Sequence, residues 1–141
     1  MAALVDTNVL VYRFDSRDPQ KQYAARDVLR GGLLAGTLRI PHQALVEFVS
    51  AATRRVANGA PLLPATDAWH EMQNFMTVYP VLYPTADVLR TAVHGAALHG
   101  LSWFDAHMWA YAEVFGLDEL LSEDFQDGRL YGRVRARNPF A

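Results

Sequence analysis

A chain of 141 residues with 51% hydrophobic residues holds enough apolar material for one domain with a real core. Charged residues at 20%, a mean hydropathy near zero and no apolar run of bilayer length describe a soluble globular protein and exclude a membrane-spanning one. The absence of cysteine excludes a disulfide framework and a zinc–thiolate site, and a net charge of −2 argues against a generally basic nucleic-acid binder. That charge leaves room for an enzyme whose carboxylates offset a local basic patch. The N-terminus lacks the basic and long apolar regions of a signal peptide, so a cytoplasmic protein is expected.

Leu4-Val5 with Asp6 reads as a short buried strand ending in a carboxylate. Thr7-Asn8 caps a short helix to about Phe14. Asp15 to Pro19 is a turn, and Pro19 opens a helix that Gly31-Gly32 is expected to end. Thr37 to Ile40 is a second strand. Pro41-His42 opens a helix through Leu45, Val46, Phe48, Val49 and Ala52 to about Ala57, broken by Asn58-Gly59-Ala60-Pro61. Thr66 caps a helix to about Met76, and Val78 to Tyr83 is a third strand. Pro84-Thr85 starts a helix to His99, stopped by Gly100. Ser102 starts the next, which runs to Phe115. Leu120-Leu121-Ser122 is a fourth strand, and Arg133-Val134-Arg135-Ala136 is a weak edge strand. Short apolar strands alternating with helices imply an α/β sandwich: a mainly parallel sheet covered by helices on both faces.

Ligands of such sheets bind at the carboxyl ends of the strands. Asp6 lies there, as either a site residue or a helix cap. Glu47 sits in a narrow polar slot of an apolar helix, where a carboxylate must be exposed, paired or functional. Asp105 fits a capping box with Ser102, and a helix N-terminus also holds a carboxylate in place. Asp124 follows the fourth strand, with Glu123 and Asp127 as competitors in the same acidic turn. Carboxylates clustered at strand ends repel one another, and a hard divalent cation such as Mg²⁺ or Mn²⁺ relieves that repulsion.

The segments Leu4 to Leu10, Pro41 to Phe48 around Glu47, Gly100 to Ala106 and Leu120 to Gly128 together resemble the PIN-domain family, in particular VapC-type toxin ribonucleases. Arg137-Asn138-Pro139-Phe140 also looks like the ending of many such chains. The resemblance covers essentially the whole chain as one domain. It implies an acidic quartet of Asp6, Glu47, Asp105 and Asp124, with hydroxyl or amide contributions from Thr7, Asn8 or Ser122. It further implies metal-assisted hydrolysis of RNA, a homodimer, and inhibition by a small cognate antitoxin. Aromatic residues expected on exposed helix faces, Trp69, Phe75 and Trp103, also favour a dimer.

The sequence also admits other readings. A haloacid-dehalogenase-type enzyme wants a second Asp two residues after the first, where this chain has Asn8. A receiver-type phospho-switch wants a lysine at a strand end, and the only lysine is Lys21. A non-catalytic module binding metal or RNA with the same fold is the alternative outside enzymes. Most arginines, including Arg13, Arg54-Arg55 and the group Arg129, Arg133, Arg135 and Arg137, read as solvated charges. The five histidines show no paired metal-binding motif and read as surface or packing residues. Trp103, Phe104, Met108 and Trp109 read as core, with base stacking or a dimer contact as the minor reading.

Overall fold

The computed structural model describes residues 1–55 and 59–141. In chain order the elements are β1 (Ala3–Val5), α1 (Thr7–Tyr12), α2 (Pro19–Ala35), β2 (Leu38–Pro41), α3 (His42–Thr53) and α4 (Ala65–Val78). Then come β3 (Val81–Leu82), α5 (Ala86–His99), α6 (Trp103–Val114), β4 (Glu119–Leu121), β5 (Leu130–Tyr131) and β6 (Val134–Arg137). The six-stranded sheet has the order β3-β2-β1-β4-β6-β5. Every pairing is parallel except β5 with β6. The connections from β1 to β2 to β3 move one way across the sheet, and the connection to β4 returns to the far side of β1. Right-handed crossovers therefore put α1–α4 on one face and α5–α6 on the other. This is the expected α/β sandwich.

The central strands carry continuous apolar runs because they are buried on both faces. Leu4, Val5, Ile40, Leu120 and Leu121 are fully buried, which a parallel sheet under two helical layers requires. Phe48 of α3 meets Phe75 of α4 edge to face, with ring centroids 5.4 Å apart. On the other face Met108, Trp109 and Tyr111 of α6 are buried, and Trp109 Nε1 donates to the Tyr131 carbonyl at 2.8 Å. No helix among the described residues is long and apolar enough to cross a membrane.

Several elements differ from the sequence expectation. Helix α2 runs through Gly31-Gly32 and ends at Gly36, which takes the left-handed conformation at φ 69°. Gly32 serves close approach instead: a Cβ there would collide with the Leu38 side chain of β2. Helix α4 absorbs Val78, leaving β3 only two residues long, and it begins after Pro64 without a Thr66 cap. Tyr79 then turns inward and donates its hydroxyl to the Leu29 carbonyl at 2.9 Å. Helix α3 stops at Thr53 with Arg54 extended, short of Ala57, which with Asn58 lies outside the described residues. Strand β6 is interior, because the unforeseen β5 covers it; its arginines alternate outward while Val134 and Ala136 face the core. Phe75 is buried, so it leaves the set of exposed aromatics. Trp103 and Phe104 leave the core reading in turn, since both are exposed.

Helices α5 and α6 form the most extensive helix pair, and Gly95 is where they close. A Cβ at Gly95 would collide with the Trp109 ring, which Tyr131 holds in place. Gly95→Ala is therefore expected to destabilise the protein by about 1–3 kcal/mol despite alanine's better helix propensity. Urea unfolding of the two proteins measures this, and an equally stable or more stable variant would show that the pair can move apart.

Candidate active site at the carboxyl ends of the strands

Strand β1 lies between β2 and β4, where the chain reverses its direction of travel across the sheet. This is the switch point at which open α/β sheets place ligands. The parallel register pairs Val5 with Leu121, so the next residues, Asp6 and Ser122, emerge side by side. Asp6 N–H donates to the Leu121 carbonyl at 3.0 Å, and Ser122 Oγ donates to Asp6 Oδ2 at 2.6 Å. Asp6 also caps α1, its Oδ1 accepting from Thr7 N–H at 2.6 Å. Asp6 is 5% exposed and Ser122 is fully buried.

Asn8 ties Asp6 to Asp124. Its Nδ2 donates to Asp124 Oδ2 at 3.1 Å and lies 3.2 Å from Ser122 Oγ and 3.4 Å from Asp6 Oδ2. Ser122 Oγ also accepts from Asp124 N–H at 3.0 Å, so the buried hydroxyl has both donor and acceptor capacity satisfied. Glu47 comes from the second turn of α3. Thr7 Oγ1 donates to its Oε1 at 2.6 Å, and Gln43 Nε2 to its Oε2 at 3.3 Å. The same Gln43 Nε2 reaches the Phe104 carbonyl at 3.1 Å, which links α3 to the start of α6.

Asp105 lies in the first turn of α6. Its N–H donates to Ser102 Oγ at 3.3 Å, so the expected N-cap forms. Among the described residues the reciprocal bond, from Ser102 N–H back to the carboxylate, is absent. The Ser102 hydroxyl lies beside the carboxylate and favours its charged form, and the charges of Asp124 and Glu47 reach it as well. The competitors of Asp124 point elsewhere. Asp127 accepts from Asn138 N–H at 2.8 Å, and Glu123 accepts from Tyr12 Oη at 2.7 Å and Lys21 Nζ at 2.9 Å.

The electrostatics follow from burial. Asp6 is pushed up from 3.8 to about 7, first by desolvation. The hydrogen bonds from Ser122 and Thr7 oppose this, and the charges of Asp124 and Asp105 add to it. Asp105 is also raised, again mainly by burial, with Asp124 and Glu47 contributing repulsion against the Ser102 hydroxyl. His107 on α6 is lowered by burial, which the charge of Glu47 partly offsets. Asp6 therefore senses the charges of Asp124 and Asp105, and Asp105 those of Asp124 and Glu47. Among the described residues, no three His, Asp or Glu side chains stand close enough to enclose an ion together.

Sequence reasoning missed Gln43 and the Lys21–Glu123 pair. Gln43 stands four residues before Glu47 on the same helical face, and that spacing was the available signal. Lys21 pairs with Glu123 across 102 residues, which no local pattern encodes.

Folded Asp6 binds protons that the unfolded chain has already released between about pH 4 and 7. The stability of the metal-free protein should therefore fall as pH rises through that window, by on the order of 2–4 kcal/mol from Asp6. Asp15 works the other way, since its bond to Arg17 lowers its pKa. The difference between wild type and Asp6→Asn removes that contribution. In EDTA the variant is expected to gain on wild type steadily from pH 4.5 to 7.5 in urea melts. A constant difference across that range would mean that Asp6 stays charged.

The PIN-domain model matches residues 3–129 of the sequence. No curated protein sequence matches it. Among solved structures, the chain resembles VapBC2 from Rickettsia felis, bound to a promoter DNA fragment, with a TM-score of 0.71 at 12% identity over 98% of each chain. It resembles a toxin–antitoxin complex from Klebsiella pneumoniae with a TM-score of 0.66 at 19% identity, again over 98% of each chain. VapC20 from Mycobacterium tuberculosis, a sarcin–ricin loop cleaving toxin, gives a TM-score of 0.63 at 19% identity over 84% of this chain and 87% of that one. At these identities the structures testify to a shared fold, while the family match spans most of the sequence and every strand through β4. The chain belongs to the PIN-domain family.

Proposed function

We propose that this protein is a divalent-metal-dependent endoribonuclease that hydrolyses RNA phosphodiester bonds, and that it is the toxin of a toxin–antitoxin pair. The observation that supports this reading most is the buried Asp6 at the switch point of a PIN-domain sheet, within reach of the charges of Asp124 and Asp105, with Glu47 in turn within reach of Asp105. We assign these four as the catalytic and metal-holding residues. The donor set is all oxygen, and neighbouring carboxylates add to the burial that raises Asp6 and Asp105, as suits a hard cation such as Mg²⁺ or Mn²⁺. Bound there, the cation would neutralise the repulsion between the carboxylates and the RNA phosphate and activate the attacking water.

The chain's own groups fix the carboxylates in advance. Ser122 and Thr7 N–H hold both oxygens of Asp6, Thr7 Oγ1 and Gln43 hold those of Glu47, and Asn8 steadies Asp124. Asp6, half-protonated near neutral pH, must release its proton when the cation binds, so metal affinity should rise with pH. Asp105, joined to the cluster by charge alone, is the member left most adjustable toward substrate.

The toxin reading draws support from the fold shared with a toxin–antitoxin complex. An antitoxin would insert a cationic segment into the acidic site in place of the metal. A homodimer is part of the same proposal, and exposed Val93 and Leu98 on α5 together with Trp69 on α4 supply apolar surface for it.

Purified protein is expected to cut RNA with Mg²⁺ or Mn²⁺, to stop in EDTA, and to fall to background in Asp6→Asn. Full cleavage in chelator would overturn the metal mechanism, and metal-dependent RNA binding without cleavage would favour a non-catalytic module. Induction should arrest growth, and co-expression with an adjacent small gene product should restore it and yield a co-purifying complex. Light scattering of the protein alone should give the mass of a dimer; absence of rescue and of a complex would remove the antitoxin while leaving the nuclease.

A further inference from the structure

We infer that the groove between α3 and α6, opening beside Glu47, seats one unpaired nucleobase of the RNA next to the phosphodiester that is cut. This rests on the ribonuclease reading and adds a substrate-binding subsite to it. The groove has a volume of about 310 Å³ and is lined by Gln43, Val46 and Glu47 on one side and Trp103, Phe104 and His107 on the other.

Its walls are apolar and open. Trp103 is 46% exposed, Phe104 66% and Val46 56%, although all three flank a buried core. Trp103, His107 and Tyr111 follow one another at four-residue spacing and share a face of α6. The rings of Trp103 and His107 are 6.4 Å apart, and His107 rests edge-on against the buried Tyr111 at 5.3 Å. A ring braced from below and open above is a stacking platform. Any base can use it, because every base has a π-face. Double-stranded RNA does not expose those faces, so the occupant is a base in a single-stranded loop or end.

Two further features tie the groove to the carboxylates. Glu47 belongs to both, and Phe104 and Asp105 are consecutive residues of α6. A base held on Trp103 therefore places its adjoining phosphate toward the acidic cluster. Gln43 supplies the second feature. Its Nε2 is committed to Glu47 Oε2 and the Phe104 carbonyl, which fixes the sense of the amide. Its Oε1 is then buried with no hydrogen-bond donor. A buried acceptor without a partner is unfavourable, and a shift of the Gln43 side chain toward the groove would let the N–H edge of a base supply one.

The test uses a short single-stranded RNA, the same strand with one abasic position, and an RNA duplex. Affinity is measured in Ca²⁺ to suppress cutting, and KM and kcat in Mn²⁺. Trp103→Ala is expected to weaken single-strand binding about 5- to 100-fold and to raise KM, with Trp103→Phe recovering most of the loss. The abasic strand should bind wild type as weakly as the intact strand binds Trp103→Ala, and duplex binding should not change. Circular dichroism confirms that each variant is folded; where Trp103→Ala is not, Phe104→Ala takes its place. Unchanged affinity and KM in a folded variant, while wild type cuts RNA, would overturn the subsite and leave the ribonuclease standing. Wild type that neither binds nor cuts RNA would remove the ribonuclease reading itself. A variant that turns from dimer to monomer, and regains wild-type affinity at high protein concentration, would assign the groove to a second copy of the chain and overturn the inference.

Discussion

The burial of Asp6 is the constraint on which the rest of the site depends. Removing a carboxylate from water is unfavourable, and burial outweighs the two hydrogen bonds that would keep it ionised. The fold keeps Asp6 there by register. Pairing Val5 with Leu121 sets Ser122 beside Asp6, and the Ser122 hydroxyl then serves Asp6, Asn8 and Asp124 N–H together. A slip of one residue between β1 and β4 would turn Asp6 toward a helical layer and separate it from Ser122. The sheet that gives the molecule its core thus also fixes the position of its buried carboxylate at the site.

The acidic turn after β4 shows how the remaining residues sort themselves around that point. Glu123 faces α1 and α2, where Lys21 and the Tyr12 hydroxyl hold it and Lys21 also lies over the Tyr12 ring at 4.7 Å. Tyr12 in turn meets Phe140 edge to face, with centroids 4.9 Å apart. Asp127 faces the other way and holds Asn138 N–H. Both ends of the turn are therefore anchored to the body of the protein by acids with structural work. Asp124, between them, is left to face Asn8 and the cluster. Exposed ion pairs stabilise little on their own. Here the significance of the Lys21–Glu123 pair is the position of its neighbour.

Much of this arrangement was legible because it rests on local pattern. An apolar strand ending in Asp6, a capping box at Ser102 to Asp105 and a strand followed by an acidic turn are each visible within a few residues. Their order implied the sheet. What escaped was set by tertiary contacts. Gly32 reads as a helix stop, yet its absent side chain makes room for Leu38. Strand β5 is two residues long, too short to show a period, and exists because β6 needs a partner on that side. Trp103 and Phe104 read as core beside Met108 and Trp109. Residues 103, 107 and 111 share one stripe of α6 that meets the mouth of the site, and the neighbouring stripes meet the sheet.

Helix capping and metal holding looked like rival explanations for Asp6 and Asp105, but the geometry makes them compatible. Asp6 spends one oxygen on Thr7 N–H and the other on Ser122, so the cap fixes the carboxylate's plane. Asp105 gives its backbone N–H to the Ser102 hydroxyl, and the same hydroxyl lies close enough to the carboxylate to favour its charged form. In both cases the helix cap forms while burial and neighbouring charge act on the carboxylate. Such a site stores unfavourable electrostatics in a rigid frame. The cation proposed for this site would relieve that repulsion, and because the hydrogen bonds already hold the carboxylates, little of the binding free energy would go into ordering the chain.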